Sequence, residues 1–81
     1  DDLSKKVIND FISEYDKLSS LSRETLEPII KSLIDKHKTN FKGVGQPLRI
    51  ALVGSRFGPG IYDVILSLDK ITVISRLKKL T

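Results

Sequence analysis

Apolar residues recur every three or four positions over most of the chain, which is the spacing of one face of an α-helix. The first such stripe predicts an amphipathic helix over residues 3–18. A second stripe predicts a helix that starts between residues 22 and 26 and ends near Lys38. Ser22 and Thr25 are alternative N-caps for it, and Thr25 would place Pro28 in the first turn, where no backbone N–H is needed.

Residues 43–60 contain five glycines and two prolines, which mark helix ends and loops. Residues 39–45 are predicted to form a loop, because they contain two glycines and an asparagine. Pro47 fits the first position of a helix, where its missing N–H is not used. Gly54 fits the residue just past the end of that helix, where a left-handed backbone favours glycine. A third helix is therefore expected over residues 47–53.

Two further apolar stripes complete the chain. They predict a fourth helix over residues 60–68 and a fifth that Asp69 caps and that runs to about Leu80. The inward positions of the fifth helix are expected to be Ile71, Ile74, Leu77 and Leu80, with Val73 flanking them. The predicted architecture is all-α, a single small domain over residues 1–81 with two longer antiparallel helices followed by three short ones. One core is expected to contain Leu3, Val7, Phe11, Ile30, Leu33, Leu52, Ile65 and Ile74.

Composition excludes several classes of site. The chain has 81 residues, no cysteine and a single histidine, so it cannot assemble a catalytic triad or a metal site from these residue types. We expect His37 to be a surface residue at a helix end, facing the helix dipole. No apolar run is long enough to span a membrane. The chain starts with Asp1 and contains no methionine, so we expect it to be a piece of a longer protein.

Positive charge is concentrated in the second half of the chain. Residues 1–41 carry seven basic and eight acidic side chains, whereas residues 42–81 carry seven basic and two acidic ones. Such asymmetry is typical of a surface that faces a polyanion, and it equally fits an ordinary solvated face. Arg49 is the one charge in an apolar segment, and burial of its guanidinium would be costly without solvent or an anionic partner.

The motif around Arg49 carries a family resemblance. Residues 47–54 follow Pro-Leu-Arg-x-Ala-Leu-x-Gly, a loop ending in Gly58-Pro59-Gly60 comes next, and an apolar run with a basic ending completes the pattern. This resembles the extreme C-terminal part of bacterial-type glutamyl-tRNA synthetases, which are class I aminoacyl-tRNA synthetases. The pattern covers residues 46–80. It departs from the family at residues 68–71, which are Leu-Asp-Lys-Ile where the family usually has Leu-Gly-Lys-Glu.

The resemblance implies an anticodon-binding domain whose partner is the anticodon loop of a tRNA. It implies RNA contacts at Arg49 and at the loop residues Gly58, Pro59, Gly60 and Ile61. The family pattern varies at the loop tip, where we expect further RNA contacts from Arg56 and Phe57, and the ring of Tyr62 offers another surface for a base. The resemblance also implies a longer cytoplasmic, monomeric enzyme, in which a catalytic domain of the same chain uses ATP and magnesium to join glutamate to its tRNA. No catalytic residue, metal or cofactor is expected in these 81 residues.

Some alternatives remain open at this level. Arg49 could pack its stem on the helices and extend its head to water. Phe57 would be a stacking platform if exposed and an anchor for the loop if buried. Arg76, Lys78 and Lys79 fit either phosphate contacts or the usual cations of a helix C-terminus. The alternative function is a small helical protein–protein interaction module with a basic solvated face.

Overall fold

A computed structural model describes all 81 residues and contains five α-helices and no β-strand, which confirms the all-α prediction. No helix combines the length and the apolar character needed to cross a bilayer. The helices are α1 (Asp2–Asp16), α2 (Arg23–Lys36), α3 (Phe41–Val53), α4 (Ile61–Ser67) and α5 (Lys70–Lys78).

Side-chain caps set the starts of α1 and α2. The Asp1 carboxylate accepts a hydrogen bond from the backbone N–H of Ser4 at 2.7 Å. Ser22, and not Thr25, caps α2: its hydroxyl accepts from the Thr25 N–H, while the Thr25 hydroxyl oxygen accepts from the Ser22 N–H. Pro28 consequently lies inside α2 rather than in its first turn, and one intrahelical hydrogen bond is missing there.

Helix α3 begins six residues earlier than the sequence predicts, so the expected loop over residues 39–45 is wrong. The Asn40 side chain accepts from the Gly43 N–H at 2.8 Å and starts the helix. Pro47 lies in the helix interior, where it removes one backbone bond. The buried stripe of Val44, Leu48 and Leu52 compensates for the proline and the two glycines. With thirteen residues α3 belongs with the long helices, so three long helices precede two short ones.

One core of sixteen buried apolar residues holds the five helices together. Six of the eight core residues expected from the sequence are in it, but Leu3 is 44% exposed and Ile74 is only partly buried. The core comprises Val7, Ile8, Phe11, Tyr15, Leu26, Ile29, Ile30, Leu33, Val44, Leu48, Leu52, Ile61, Val64, Ile65, Val73 and Leu77.

The predicted face of α5 is only partly right. Leu77 is fully buried and Ile74 packs against the core, as expected, whereas Ile71 is 83% exposed and Leu80 is 44% exposed. Val73, which was expected to flank the stripe, is fully buried. Lys70, which shares the face of Val73 and Leu77, explains this rotation. Its ammonium donates to the Asp16 carbonyl at 2.9 Å and to the Leu18 carbonyl at 3.3 Å, and so caps the end of α1.

Arg76 caps the C-terminal end of α3 in the same way. Its Nη1 donates to the Leu52 carbonyl at 2.6 Å, in the last turn of α3. Two of the basic residues in the second half of the chain are therefore used to satisfy helix C-termini inside the fold. Lys78 and Lys79 have no such partner and remain exposed.

His37 is not the surface residue that the sequence suggests. It is the C-cap of α2, but its side chain is only 10% exposed, and its Nε2 lies 2.9 Å from an Asp10 carboxylate oxygen. Lys36 reaches the same oxygen at 3.0 Å. This cluster joins the end of α2 to the middle of α1.

Candidate nucleic-acid interface

The loop between α3 and α4, residues 54–60, contains two left-handed glycines and two local hydrogen bonds. Gly54 has φ +69° and its N–H donates to the Ile50 carbonyl at 2.8 Å, which confirms the predicted left-handed end of α3. The Ser55 hydroxyl accepts from the Phe57 N–H at 3.1 Å. Gly58 has φ +131°, a conformation that favours glycine. The loop is thus short and shaped by its own backbone.

Arg49 connects α3 to this loop. Its Nη1 donates to the Pro59 carbonyl, and a Cβ added at Gly58 would lie 3.8 Å from the same nitrogen. The side chain is half-buried, so neither a free solvated head nor a core position describes it. The guanidinium presents a planar edge beside the loop, and the N–H groups not used on Pro59 remain available to a ligand.

Arg49 also lines a groove of about 180 Å³ together with Phe41, Lys42, Gly45, Gln46, Arg56 and Ile61. No carboxylate borders this groove, and its three cations, Lys42, Arg49 and Arg56, form no ion pair in the structure. An adjoining groove of about 310 Å³ lies on the other side of Lys42 and Arg56 and is bounded by Asp1. The first groove is therefore positively charged and lacks a compensating anion.

The structure brings together only some of the residues expected at the site. Arg49, Arg56 and Ile61 share the cationic groove. Phe57 and Pro59 border a different groove, of about 370 Å³, on the α4 side of the loop. Phe57 is 84% exposed, so it does not anchor the loop and its ring is free to stack.

Ile61 has its side chain in the core, where it is 1% exposed, so it offers no free apolar surface to a ligand. Tyr62 is half-buried and its ring lies 4.8 Å below the Arg23 guanidinium and 6.1 Å from the Phe41 ring. Burial and the nearby Glu27 carboxylate raise the pKa of Tyr62, against the opposing effect of Arg23, so its hydroxyl is neutral at physiological pH.

Sequence reasoning missed four residues of the cationic groove, namely Phe41, Lys42, Gly45 and Gln46. All four belong to the first half of α3, and three of them lie in the region predicted to be a loop. The signal that could have found them is Asn40, a favoured N-cap residue, followed by Val44, Leu48 and Leu52 at helical spacing. On a continuous helix, Lys42, Gln46 and Arg49 share one face.

A small basic domain with a groove lined by three unpaired cations has the electrostatic footprint of a nucleic-acid-binding protein. The family model described as "Anticodon binding domain" matches residues 1–81, so the chain belongs to the anticodon-binding domain family.

Relatives in several bacteria support this assignment. The chain is 56% identical over 77 residues to the glutamate–tRNA ligase of Pelagibacter ubique, a match that covers 95% of the chain and 16% of that protein. It is 39% identical over 62 residues to glutamate–tRNA ligase 1 of Syntrophus aciditrophicus, covering 76% of the chain and 13% of the relative. It is 34% identical over 71 residues to the Desulfitobacterium hafniense ligase, covering 88% and 14%. No solved structure matches the chain.

Proposed function

We propose that this chain is the anticodon-binding domain of a glutamate–tRNA ligase and that it binds the anticodon loop of a tRNA. The observation that carries the proposal is the position of Arg49. Its guanidinium donates a hydrogen bond to the Pro59 carbonyl, and it lies in a groove that Lys42 and Arg56 also line and that no carboxylate borders. Unstacked loop bases expose hydrogen-bonding edges, and a planar guanidinium held in a fixed direction matches such an edge.

The activity proposed for the longer protein is the ligation of glutamate to its tRNA. We infer that a separate catalytic domain of the same chain performs it with ATP and magnesium, and that this domain supplies binding energy at a distance from the chemistry. We expect the protein to act as a monomer in the cytoplasm. The chain spans about one sixth of the length of the relatives that it matches, and these relatives are named glutamate–tRNA ligases.

The test compares two RNA stem-loops with the same stem, one with the glutamate anticodon and one with an unrelated triplet. Binding of the 81-residue chain is measured by fluorescence anisotropy. We expect preference for the glutamate anticodon, and affinity that falls roughly tenfold between 50 and 150 mM salt if three cations contact phosphates. Affinity that does not change with salt, or an equal affinity for both loops, would contradict the proposal.

Substitution of Arg49 separates recognition from folding. Arg49→Ala should weaken binding to the glutamate anticodon by roughly 5- to 150-fold, the range of one good base contact. Arg49→Lys retains a donor for the Pro59 carbonyl but lacks the planar fork, so it should be nearly as harmful. Lys6→Ala removes one charge from an exposed position on α1 and is the matched control.

Thermal unfolding of each variant completes the comparison. Arg49 is half-buried and holds an exposed loop, so its removal should change the free energy of unfolding by less than about 1 kcal/mol. The same substitution in the longer ligase should lower charging of the glutamate tRNA selectively. A large loss of stability with anticodon preference intact would assign Arg49 a structural role only.

A second candidate function, a protein–protein contact, is favoured by one observation on another face. Ile50 and Leu80, which are 38% and 44% exposed, line a groove of about 330 Å³ with Ile8 and Pro47. Exposed apolar side chains that lie together are typical of contact surfaces. If protein contact were the main function, Ile50→Ser would abolish association with the partner, and the chain would bind both stem-loops equally weakly.

A further inference from the structure

The first turn of α3 holds an aromatic ring beside the cationic groove. Phe41 is the first residue of the helix and is 49% exposed. Its ring lies across Gly45 one turn later, because a Cβ added at Gly45 would be 3.6 Å from Cε2 of Phe41. The Tyr62 ring lies on another side of it, with ring centroids 6.1 Å apart and planes tilted by 49°. Neighbours therefore fix the ring although half of it faces solvent.

Charge surrounds this ring on the groove side. Lys42 is adjacent in sequence, Gln46 follows one turn later, and Arg49 and Arg56 complete the lining. The Lys42 side chain forms no ion pair within the chain, so no carboxylate of the fold neutralises its charge. A volume of about 180 Å³ is smaller than the usual site for a whole small-molecule ligand and suits one planar group.

An exposed rigid aromatic ring next to unpaired cations is the combination that binds single-stranded nucleic acid. The ring accepts a base on its face and the cations follow the phosphates. An acidic peptide would also be attracted to the cations, but it would not require a ring that is held flat and half exposed. The arrangement at Phe41 and Lys42 therefore favours an unstacked nucleotide.

We propose that Phe41 is a base-stacking platform and that Lys42 contacts a phosphate of the same RNA strand. The bound strand then passes from the loop at residues 54–60, across Arg49, to the first turn of α3. This inference rests on the proposed function, because it extends the anticodon-loop site rather than adding a second one. It assigns the early part of α3 a role in binding RNA that the loop motif alone does not contain.

Phe41→Trp gives a direct test, because the chain has no tryptophan of its own. Tryptophan keeps the stacking face, so the variant should bind the glutamate-anticodon stem-loop with nearly unchanged affinity, and its fluorescence should be quenched as the base stacks. Ile71→Trp is the matched control, since Ile71 is also an exposed apolar residue in the first turn of a helix. Its fluorescence should not change.

Two further variants separate stacking from charge. Phe41→Leu preserves apolar packing on Gly45 but cannot stack, and it should weaken binding at least about fivefold. Lys42→Gln should lower the slope of log affinity against log salt by about 0.7, the value for one phosphate contact on a single strand. Lys6→Gln, an exposed cation on α1, should leave the slope unchanged. Circular dichroism of each variant confirms that the helices are intact.

The outcomes distinguish this inference from the proposed function. Loss of anticodon preference in Arg49→Ala, together with an unquenched Phe41→Trp and an unchanged slope in Lys42→Gln, would overturn the inference and leave the proposed function standing. If the unaltered chain binds neither stem-loop, both are overturned. Quenching in Phe41→Trp with a reduced slope in Lys42→Gln supports both.

Discussion

Tyr15 carries a buried hydroxyl that has no hydrogen-bond partner. The residue is fully buried, and its ring stacks on Phe11 with centroids 5.3 Å apart, while the Lys70 ammonium lies 5.9 Å from the ring. Burial and the negative charge of Asp69 raise the pKa of Tyr15, so the hydroxyl keeps its proton at physiological pH. An unsatisfied buried polar group of this kind costs roughly 1–3 kcal/mol.

Tyr15→Phe should therefore stabilise the domain, by about 1 kcal/mol, because it keeps the ring and removes only the unpaired hydroxyl. The free energy of unfolding in denaturant measures this directly. Tyr62→Phe is the matched control, since Tyr62 is only half-buried, and it should produce little gain. If Tyr15→Phe destabilises the domain instead, the Tyr15 hydroxyl makes a contact whose contribution to stability exceeds the cost of removing the hydroxyl from water.

Single residues were predictable where their type was unusual for their surroundings. Arg49 was identified because a lone charge in an apolar segment needs a partner, although the Pro59 carbonyl as that partner depends on how the loop folds back. Gly54 was identified because a helix end favours glycine in a left-handed conformation. The burial of Ile61 was not predictable, because an apolar residue after a Gly-Pro-Gly loop can face a ligand or the core, and only the packing of α4 decides which. A contact between Ile61 and RNA stays a prediction.

At the scale of the helix, α3 depends on its cap more than on its residue preferences. It contains two glycines and an internal proline, each unfavourable in a helix interior. Asn40 should therefore matter: Asn40→Ala is expected to cost about 1 kcal/mol in the free energy of unfolding, whereas Asn40→Asp should retain the cap and favour the helix dipole.

The same variants have a functional consequence that a second measurement checks. Fraying of the first turn of α3 would release Phe41 and Lys42, so Asn40→Ala should weaken RNA binding while Asn40→Asp should change it less. Backbone amide exchange at Val44 and Gly45 reports the fraying itself. Unchanged exchange in Asn40→Ala would show that packing alone maintains this turn.

Helix existence was predictable throughout, whereas helix starts and faces were less so. The glycines at residues 43 and 45 favoured a loop in the local sequence pattern, although Asn40 is a good helix cap. The burial of Val44, which stabilises the helix there, depends on packing that the local pattern does not contain. The face of α5 was predicted from 3-residue spacing alone. In the fold, the contact between Lys70 and the end of α1 fixes the rotation and exposes Ile71. Long-range contacts of this kind are absent from a local pattern.

At the scale of the whole molecule, the two halves of the chain differ in their charge. Residues 1–41 carry nearly balanced charge, and the helices α1 and α2 within them supply eight of the sixteen core residues. The basic second half supplies the cationic groove and the loop, after Lys70 and Arg76 have been used to cap α1 and α3. Helices α3, α4 and α5 supply the other eight core residues, so the cationic groove is built on helices that are themselves anchored in the core.

The joint between α1 and α2 makes that stability depend on pH. Partial burial opposes ionisation of Asp10, but hydrogen bonds from Lys36 and His37 outweigh it and lower its pKa below the ordinary value. An unfolded chain then takes up this proton more readily than the folded one, so the contribution is fully present above the ordinary pKa of an aspartate. It is lost as pH falls through the lowered folded value.

Asp10→Asn removes this contribution and is expected to lower the free energy of unfolding at pH 7. The difference from the unaltered chain should shrink as the pH falls from about 5 toward 2, because the unaltered chain also loses the charge there. Urea unfolding at a series of pH values measures it. Asp35→Asn removes a charge from an exposed position on α2 that has no ion-pair partner, so it controls for net charge and should change stability little. A difference between Asp10→Asn and the unaltered chain that stays constant down to acid pH would show that Asp10 stabilises the joint through packing or neutral hydrogen bonds and not through its charge.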